Sequence, residues 1–311
     1  MRAFIFPGQG SQAVGMGKAL AEASSVARAL FQEVDEALQQ NLARLMAEGP
    51  PDELTLTENA QPAIMANALA TLRVLEREGG ISLGDKADYV AGHSLGEYTA
   101  LCAAEAFDVA TTARLLKLRG RAMQAAVPVG EGAMAALLGL GLEAAQSVAE
   151  EAAEGEVCTV ANDNDPNQVV VSGHKAAVER ALEIAKAKGA KRALLLPVSA
   201  PFHSPLMEPA ARAMEQALAE ANVRPPVVPI YANVTAAPAE DPAEIRRLLV
   251  GQVTGMVRWR ESIAAMAEAG VTHFVEFGGK VLSPMVKRIA PDAKTTSIIS
   301  MDDIEALAKD I

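Results

Sequence analysis

The stretch Tyr89-Val90-Ala91-Gly92-His93-Ser94-Leu95-Gly96-Glu97 limits what this chain can fold into more sharply than any other. An apolar run closes on Gly92-His93-Ser94-Leu95-Gly96 and a helical pattern starts at once, which reads as a strand, a sharp turn and a helix. Glycines on both sides of Ser94 remove Cβ atoms where the backbone must turn tightly, so Oγ stands exposed at the tip. The amide of Leu95, at the helix start, then points to where an oxyanion would form. A serine that merely caps the following helix is the plainer reading of the same residues.

At 311 residues the chain is long enough for about two domains, or for one large α/β domain with an inserted lobe. Half of its residues are hydrophobic and many are alanine, which suits a large helix-rich core. The net charge of −11 argues against nucleic acid or an anionic membrane as main partner, while leaving room for a local basic patch. Cys102 and Cys158 are too few for a disulfide framework or a thiolate metal site, so no metal and a reducing, cytoplasmic compartment are expected. The first apolar run stops at Pro7, unlike a signal peptide, and no uncharged run approaches membrane-span length.

Residues 3–6 read as a buried strand. Gly8, Gly10 and Ala13 match the G-x-G-x-x-G/A spacing of dinucleotide-binding turns, a reading that requires a second strand ending in an acid about 20 residues on. That region instead carries Val26, Leu30, Val34, Leu38, Leu42 and Leu45 at helical spacing across 25–46, with Glu33 and Asp35 inside it. The dinucleotide reading fails on context. Residues 57–62 read as a loop before a second amphipathic helix to 78, the elbow helix reaches about 107, and Asp108 caps a helix to about 127.

From 128 the pattern changes to strand 132–140, helix 143–153, strands 157–161 and 168–172, helix 175–188 and strand 192–197. This βαββαβ order is the ferredoxin-like unit, an inserted subdomain over 128–197 whose ends return to a discontinuous main domain of 1–127 and 198–311. Its hairpin loop is read at 162–167, Asn-Asp-Asn-Asp-Pro-Asn, where turn chemistry accounts for most residues and Asn162 at the strand end can face a cleft. Beyond it, Asp241-Pro242 starts a helix ended by Gln252, 259–269 forms another, and 274–277 is the final core strand before a helix from Val281.

Two further residues stand out. Arg119 has Leu115, Leu116, Ala122 and Met123 one turn away on either side, so its guanidinium lies on the core-facing side of its helix. Unpaired, it would cost several kcal/mol, so it meets either an internal carboxylate or the carboxylate of a substrate, for which its fork is well shaped. Among the four histidines, His203 sits in the stiff loop Pro201-Phe202-His203-Ser204-Pro205 and is the favoured base for Ser94; an imidazole bonded only to backbone is the alternative. His93 should point away from the serine beside it.

In this order, Gly8-Gln9-Gly10-Ser11-Gln12, Gly92-His93-Ser94-Leu95-Gly96-Glu97, Arg119-Gly120-Arg121-Ala122-Met123-Gln124, Pro201-Phe202-His203-Ser204, Gln252 and Val257-Arg258-Trp259 resemble the malonyl-CoA:acyl carrier protein transacylase family. The resemblance implies an α/β-hydrolase-like core with a ferredoxin-like insert, and the free-standing enzyme of dissociated fatty-acid synthesis. It implies Ser94 as nucleophile, His203 as general base, and the backbone carbonyl of Gln252 in place of a triad acid. Gln9 and Leu95 would supply the oxyanion-hole amides. Arg119 would bind the malonyl carboxylate, with Met123, Asn162 and Phe202 also touching substrate and the Phe202 ring crowding a 2-methyl branch. No cofactor is implied beyond malonyl-CoA as substrate.

Acyl carrier proteins are acidic, so docking requires a basic patch. Lys186, Lys188, Lys191 and Arg192 on the insert, with Lys287 and Arg288, are candidates; ordinary solvated charges are the alternative. A serine esterase or thioesterase sharing the elbow would want an acid between Ser and His and often a His-Gly oxyanion motif, and no His-Gly pair occurs. A non-catalytic carrier-binding relative is argued against by intact Ser94, His203 and Arg119. A malonyl or methylmalonyl transferase of polyketide synthesis is the nearer alternative. With no long exposed apolar stripe, a monomer is expected.

Overall fold

A computed structural model describes residues 1–311. Its strands in chain order are β1 (Arg2–Phe6), β2 (Tyr89–Gly92), β3 (Gly132–Leu138), β4 (Cys158–Asp165), β5 (Gln168–His174), β6 (Arg192–Leu195), β7 (Ile230–Tyr231), β8 (Pro238–Ala239), β9 (His273–Phe277) and β10 (Lys294–Ile298). Six of them make one sheet in the order β10-β9-β1-β2-β7-β8, parallel apart from the β7–β8 pair. The other four make an antiparallel sheet in the order β4-β5-β3-β6, the arrangement of a ferredoxin-like unit.

The central strand shows why the chain layers as it does. Ala3, Phe4, Ile5 and Phe6 are all fully buried, the continuous apolar run of a parallel strand covered on both faces. Phe4 and Phe6 join the largest core cluster, which includes Leu69, Leu72 and Leu75 of the helix Thr57–Gly79. Ala3 and Ile5 point the other way, into a cluster with Trp259, Ile263 and Leu282. In the smaller sheet Ala133, Ala135 and Leu137 pack against the helices Leu142–Ala153 and Lys175–Ala187. Met134 and Ala136, one residue out of phase, belong to the main core. The insert therefore offers its helices to solvent and its bare sheet face to the larger domain.

Several local readings need correction. The periodic stretch 25–46 is two helices, Ser25–Leu38 and Leu42–Glu48, broken at Gln39 with φ 50° and restarted by Asn41, whose side chain accepts from the Arg44 amide. Residues 57–62 are not a loop but the start of the helix Thr57–Gly79, with Pro62 inside it. Burial of most of that helix outweighs the hydrogen bond that Pro62 cannot make. The elbow helix stops early, at Ala103, because the chain turns at Glu105 with φ 66°.

The proposed hairpin loop at 162–167 is mostly strand: β4 continues to Asp165, and Asn162, Asp163, Asn164 and Asp165 are all buried. β4 carries register shifts here and turns from its own sheet to the main domain, where the Asp163 amide donates to Val257 at 3.0 Å. The side chains of Asp163, Asn164 and Asp165 each find a specific partner there, described below, so these residues are turn-formers by type and bridge-formers by use. β9 is the last strand buried along its length, but not the last of the sheet: β10 pairs parallel with it at the edge, and the helix Met301–Asp310 follows under a Ser300–Asp303 capping box. Lys294-Thr295-Thr296-Ser297-Ile298 is too polar to announce a core strand and sits at the sheet edge. No helix is long and apolar enough to cross a membrane.

Candidate active site

Ser94 lies just past the carboxyl end of β2, in the middle of the parallel sheet, where open α/β sheets place their ligands. Its backbone is at φ 55° and ψ −113°, an unusual conformation for a residue with a Cβ, and its side chain makes no capping bond to the helix Leu95–Ala103. A Cβ on Gly92 would collide with the backbone of Gly96, which is why the turn needs glycine there. A Cβ on Gly8 would come within 2.6 Å of the His93 carbonyl oxygen, so the loop after β1 can lie directly against the elbow. That packing brings Gln9, Ser94 and Leu95 together on the wall of one cleft of about 340 Å³. Neither of their amides donates to a protein acceptor.

His203 reaches the serine from the second chain segment of the main domain. Its Nε2 is 2.7 Å from Ser94 Oγ and its Nδ1 is 2.9 Å from the backbone carbonyl oxygen of Gln252. That carbonyl can only accept, so Nδ1 carries the proton and Nε2 faces the hydroxyl as a base. His203 too is held in the left-handed region, at φ 53°, beside a Ser204 hydroxyl that donates to Pro201. Burial, then the charge of Arg119, pushes the imidazole down to about 3, so it is neutral at ordinary pH.

Arg119 is 1% exposed, and no carboxylate receives it. One terminal nitrogen donates to Gln61 Oε1 at 2.7 Å; the other donates to Gln252 Oε1 at 2.7 Å and lies 3.1 Å from Ser94 Oγ. Its Nε has no partner, and its guanidinium carbon sits 5.7 Å from the Tyr98 ring centroid. The internal salt bridge allowed by the sequence is therefore not made, and a buried cation faces the cleft with neutral neighbours. Met123, Asn162 and Phe202 line the same cleft, all largely buried. Gln252 stays behind the wall, joining the site through its hydrogen bonds.

The docking candidates divide. Lys186 pairs with Glu183 at 3.0 Å, Lys188 with Glu151 at 2.7 Å, and Arg288 with buried Asp165 at 2.8 Å, while Lys287 donates to the Ala293 carbonyl. These four each have a partner within the chain, although the Lys186 and Lys188 pairs are solvent-exposed. Lys191 and Arg192 are exposed and carry no ion pair. Arg192 opens the edge strand β6 and Lys191 immediately precedes it; the strand runs directly into Leu196 and Pro197 of the cleft wall.

Residues that the sequence reading passed over complete the site. Gln61 lies on the helix misread as a loop at its start; once helical, Thr57 and Gln61 share one face, and Gln61 Nε2 donates to Thr57 Oγ1 at 2.8 Å. Thr57 in turn donates to the Gln9 side chain at 3.1 Å, tying the arginine support to the loop after β1. Asn233 accepts from the Ser94 amide at 2.8 Å and donates to the Gly92 carbonyl at 2.7 Å, bracing the elbow from β7's far end. While still lining the same cleft, His93 packs tilted against the Trp259 ring and bonds Asn164 Oδ1 at 2.7 Å rather than Ser94. With the Asp163–Arg260 and Asp165–Arg288 pairs, that contact pins the insert to the main domain. No group of three or more His, Cys, Asp or Glu side chains is arranged to hold a metal.

The profile of the acyl transferase domain family matches residues 3–283. A malonyl CoA-acyl carrier protein transacylase of Bacillus subtilis is 45% identical over 305 residues, covering 97% of this chain and 95% of that protein. The crystal structure of an acyl-carrier-protein S-malonyltransferase from Bartonella henselae superposes with a TM-score of 0.97 at 53% identity, covering 99% of this chain and 98% of the other. A malonyl-transacylase solved in complex with its type II PKS acyl-carrier protein superposes with a TM-score of 0.96 at 38% identity, over 100% of this chain and 99% of that one.

Proposed function

Because the chain belongs to the malonyl CoA-acyl carrier protein transacylases of the acyl transferase family, we propose that it moves a malonyl group from CoA to the phosphopantetheine thiol of an acyl carrier protein. The observation that carries the reading is a serine hydroxyl 2.7 Å from a neutral histidine and 3.1 Å from a buried arginine without a carboxylate partner. A nucleophile beside an unmatched cation suits a thioester whose acyl group ends in a carboxylate.

In the first half-reaction Ser94 Oγ attacks the thioester carbonyl while His203 Nε2 takes its proton. The tetrahedral oxyanion is received by the amides of Gln9 and Leu95. The C–S bond then breaks, the departing CoA thiolate takes the proton from His203, and a malonyl-serine ester remains. The carrier thiol repeats the sequence in reverse. A backbone carbonyl stabilises imidazolium less than a carboxylate would, which suffices here because thiolate is a good leaving group. The arginine holds the malonyl carboxylate, while Phe202 and Met123 enclose its short carbon chain. This chemistry uses protein groups alone, with no metal or redox cofactor. We place the reaction in dissociated fatty-acid synthesis and in the cytoplasm, in keeping with two buried free cysteines.

The test is intact-protein mass after brief mixing with malonyl-CoA or acetyl-CoA, beside Ser94→Ala. A malonyl adduct on the parent alone, with little from acetyl-CoA, is expected. CoA release without an adduct would favour a thioesterase, and an adduct surviving in Ser94→Ala would remove Ser94 from the mechanism.

A further inference from the structure

Glu97 is a buried carboxylate, 2% exposed, that the transfer chemistry leaves unused. It stands in the first turn of the elbow helix, where an acid is ordinary on electrostatic grounds, yet its side chain is turned inward. Its Oε2 accepts from Gln252 Nε2 at 2.7 Å and from the Asn233 amide at 3.3 Å. Gln252 Nε2 also donates to the Ser94 carbonyl at 3.0 Å. From the other end of the same amide, Oε1 accepts from Arg119 at 2.7 Å.

An amide has a donor end and an acceptor end, and the two are not interchangeable here. Rotated by half a turn, Gln252 would set its NH₂ against the guanidinium and its oxygen against the Glu97 carboxylate. Both contacts would be repulsive. We propose that Glu97 is the positioning residue that holds the Gln252 amide oxygen toward Arg119, and so aims the guanidinium at the carboxylate of the acyl group. The assignment rests on the malonyl-transfer reading and says what organises its carboxylate site. Burial, opposed by the hydrogen bond from Gln252, pushes the Glu97 carboxyl up to about 7; in either protonation state an oxygen remains to accept from Nε2. The role needs an acceptor at that place and not a full charge, which separates it from a simple counter-ion for Arg119.

That difference sets the experiment. Full-length Glu97→Gln, Glu97→Asp and Glu97→Met are compared with the parent for acylation by malonyl-CoA and by acetyl-CoA, with thermal melts recorded for each. Glu97→Gln keeps an oxygen in reach of Gln252 and should retain the parental preference for malonyl over acetyl. Glu97→Met removes the acceptor, and acylation by malonyl-CoA should fall about tenfold further than acylation by acetyl-CoA, the loss of one hydrogen bond to a charged group, with the difference carried by the KM for malonyl-CoA. Glu97→Asp keeps the charge but withdraws the acceptor by a methylene, so its preference should narrow more than that of Glu97→Gln. It also gives the answer should the methionine variant not fold. A parental preference in a folded Glu97→Met or Glu97→Asp, equal losses for both thioesters, or better retention in Asp than in Gln would overturn the proposal. A parent that forms no malonyl adduct overturns the transfer reading and this one together; a parent that forms it beside unaltered variants overturns this one alone.

Discussion

Arg119→Met puts the carboxylate reading at greatest risk. The substitution keeps an unbranched apolar stem near Tyr98 and deletes the fork. In the parent Arg119 is 1% exposed, its hydrogen bonds go to two amide oxygens and a hydroxyl, and Nε is free. Nothing in the protein neutralises it directly, so an incoming carboxylate gains the pair without displacing an existing one. A hydrogen bond between charged partners contributes about 1.5–3 kcal/mol, so kcat/KM for malonyl-CoA should fall about 10- to 150-fold in the variant. Acetyl-CoA offers no carboxylate and leaves the parental arginine unpaired, so its rate should hold or rise.

The assay is the initial rate of serine ester formation from each CoA ester, read by rapid-quench mass. Gln61 and Gln252 lose a donor in this variant, and an unsatisfied buried acceptor costs about 1–3 kcal/mol, so a thermal melt must accompany the rates. Arg119→Lys, which keeps the charge without the planar fork, should fall between the two. A folded Arg119→Met that loses malonyl and acetyl acylation by the same factor would refute the argument, because the arginine would then serve the serine and not the substrate.

Two other outcomes follow from the same site. The His203 imidazole, pushed down to about 3, should show no protonation step between pH 5 and 8 when its ring resonances are followed by NMR; a midpoint near 6.5 would contradict its burial. Because its folded value lies below the unfolded one, the unfolded chain binds more protons between the two, so this contribution to stability is complete above pH 6.5 and is lost as pH falls toward 3. Charge reversal at Lys191 and Arg192 should raise the KM for the acyl carrier protein while sparing acylation by CoA; unchanged carrier kinetics would dismiss β6 as the docking edge.

The elbow was legible because strand, glycine and helix must follow one another there, so five adjacent residues specify a geometry. The βαββαβ insert was legible because its two periods alternate cleanly, and its helices and strands appear where the pattern changes. What failed had a common cause. Residues 162–165 are polar turn-formers by type, and only the partners Val257, Arg260, Arg288 and His93, brought close by the fold, turn them into a buried strand. Gln61 was hidden by Pro62, which marks a helix boundary locally but is overruled by packing. Arg119 could be seen to need a partner, but that its neighbours are amide oxygens from Gln61 and Gln252 depends on contacts across 58 and 133 residues.

On the malonyl-transfer reading proposed above, the site would also link recognition of the carboxylate to the strength of the base. After burial, the largest influence holding His203 down is the positive charge of Arg119, which sits within hydrogen-bonding range of the same serine oxygen. A histidine so depressed is a weak base for a hydroxyl. When a malonyl carboxylate pairs with Arg119, that charge is offset, and His203 can accept the serine proton more readily at the moment the correct acyl group is in place. An acetyl group does not bring the offset, so it meets both a weaker grip and a weaker base. Discrimination should then appear in kcat as well as in KM, because the interaction that holds the substrate also acts on the transition state. A neutral carbonyl at Gln252, in place of an acid, keeps this sensitivity: a carboxylate behind His203 would hold the base ready for any thioester, whether or not Arg119 was occupied.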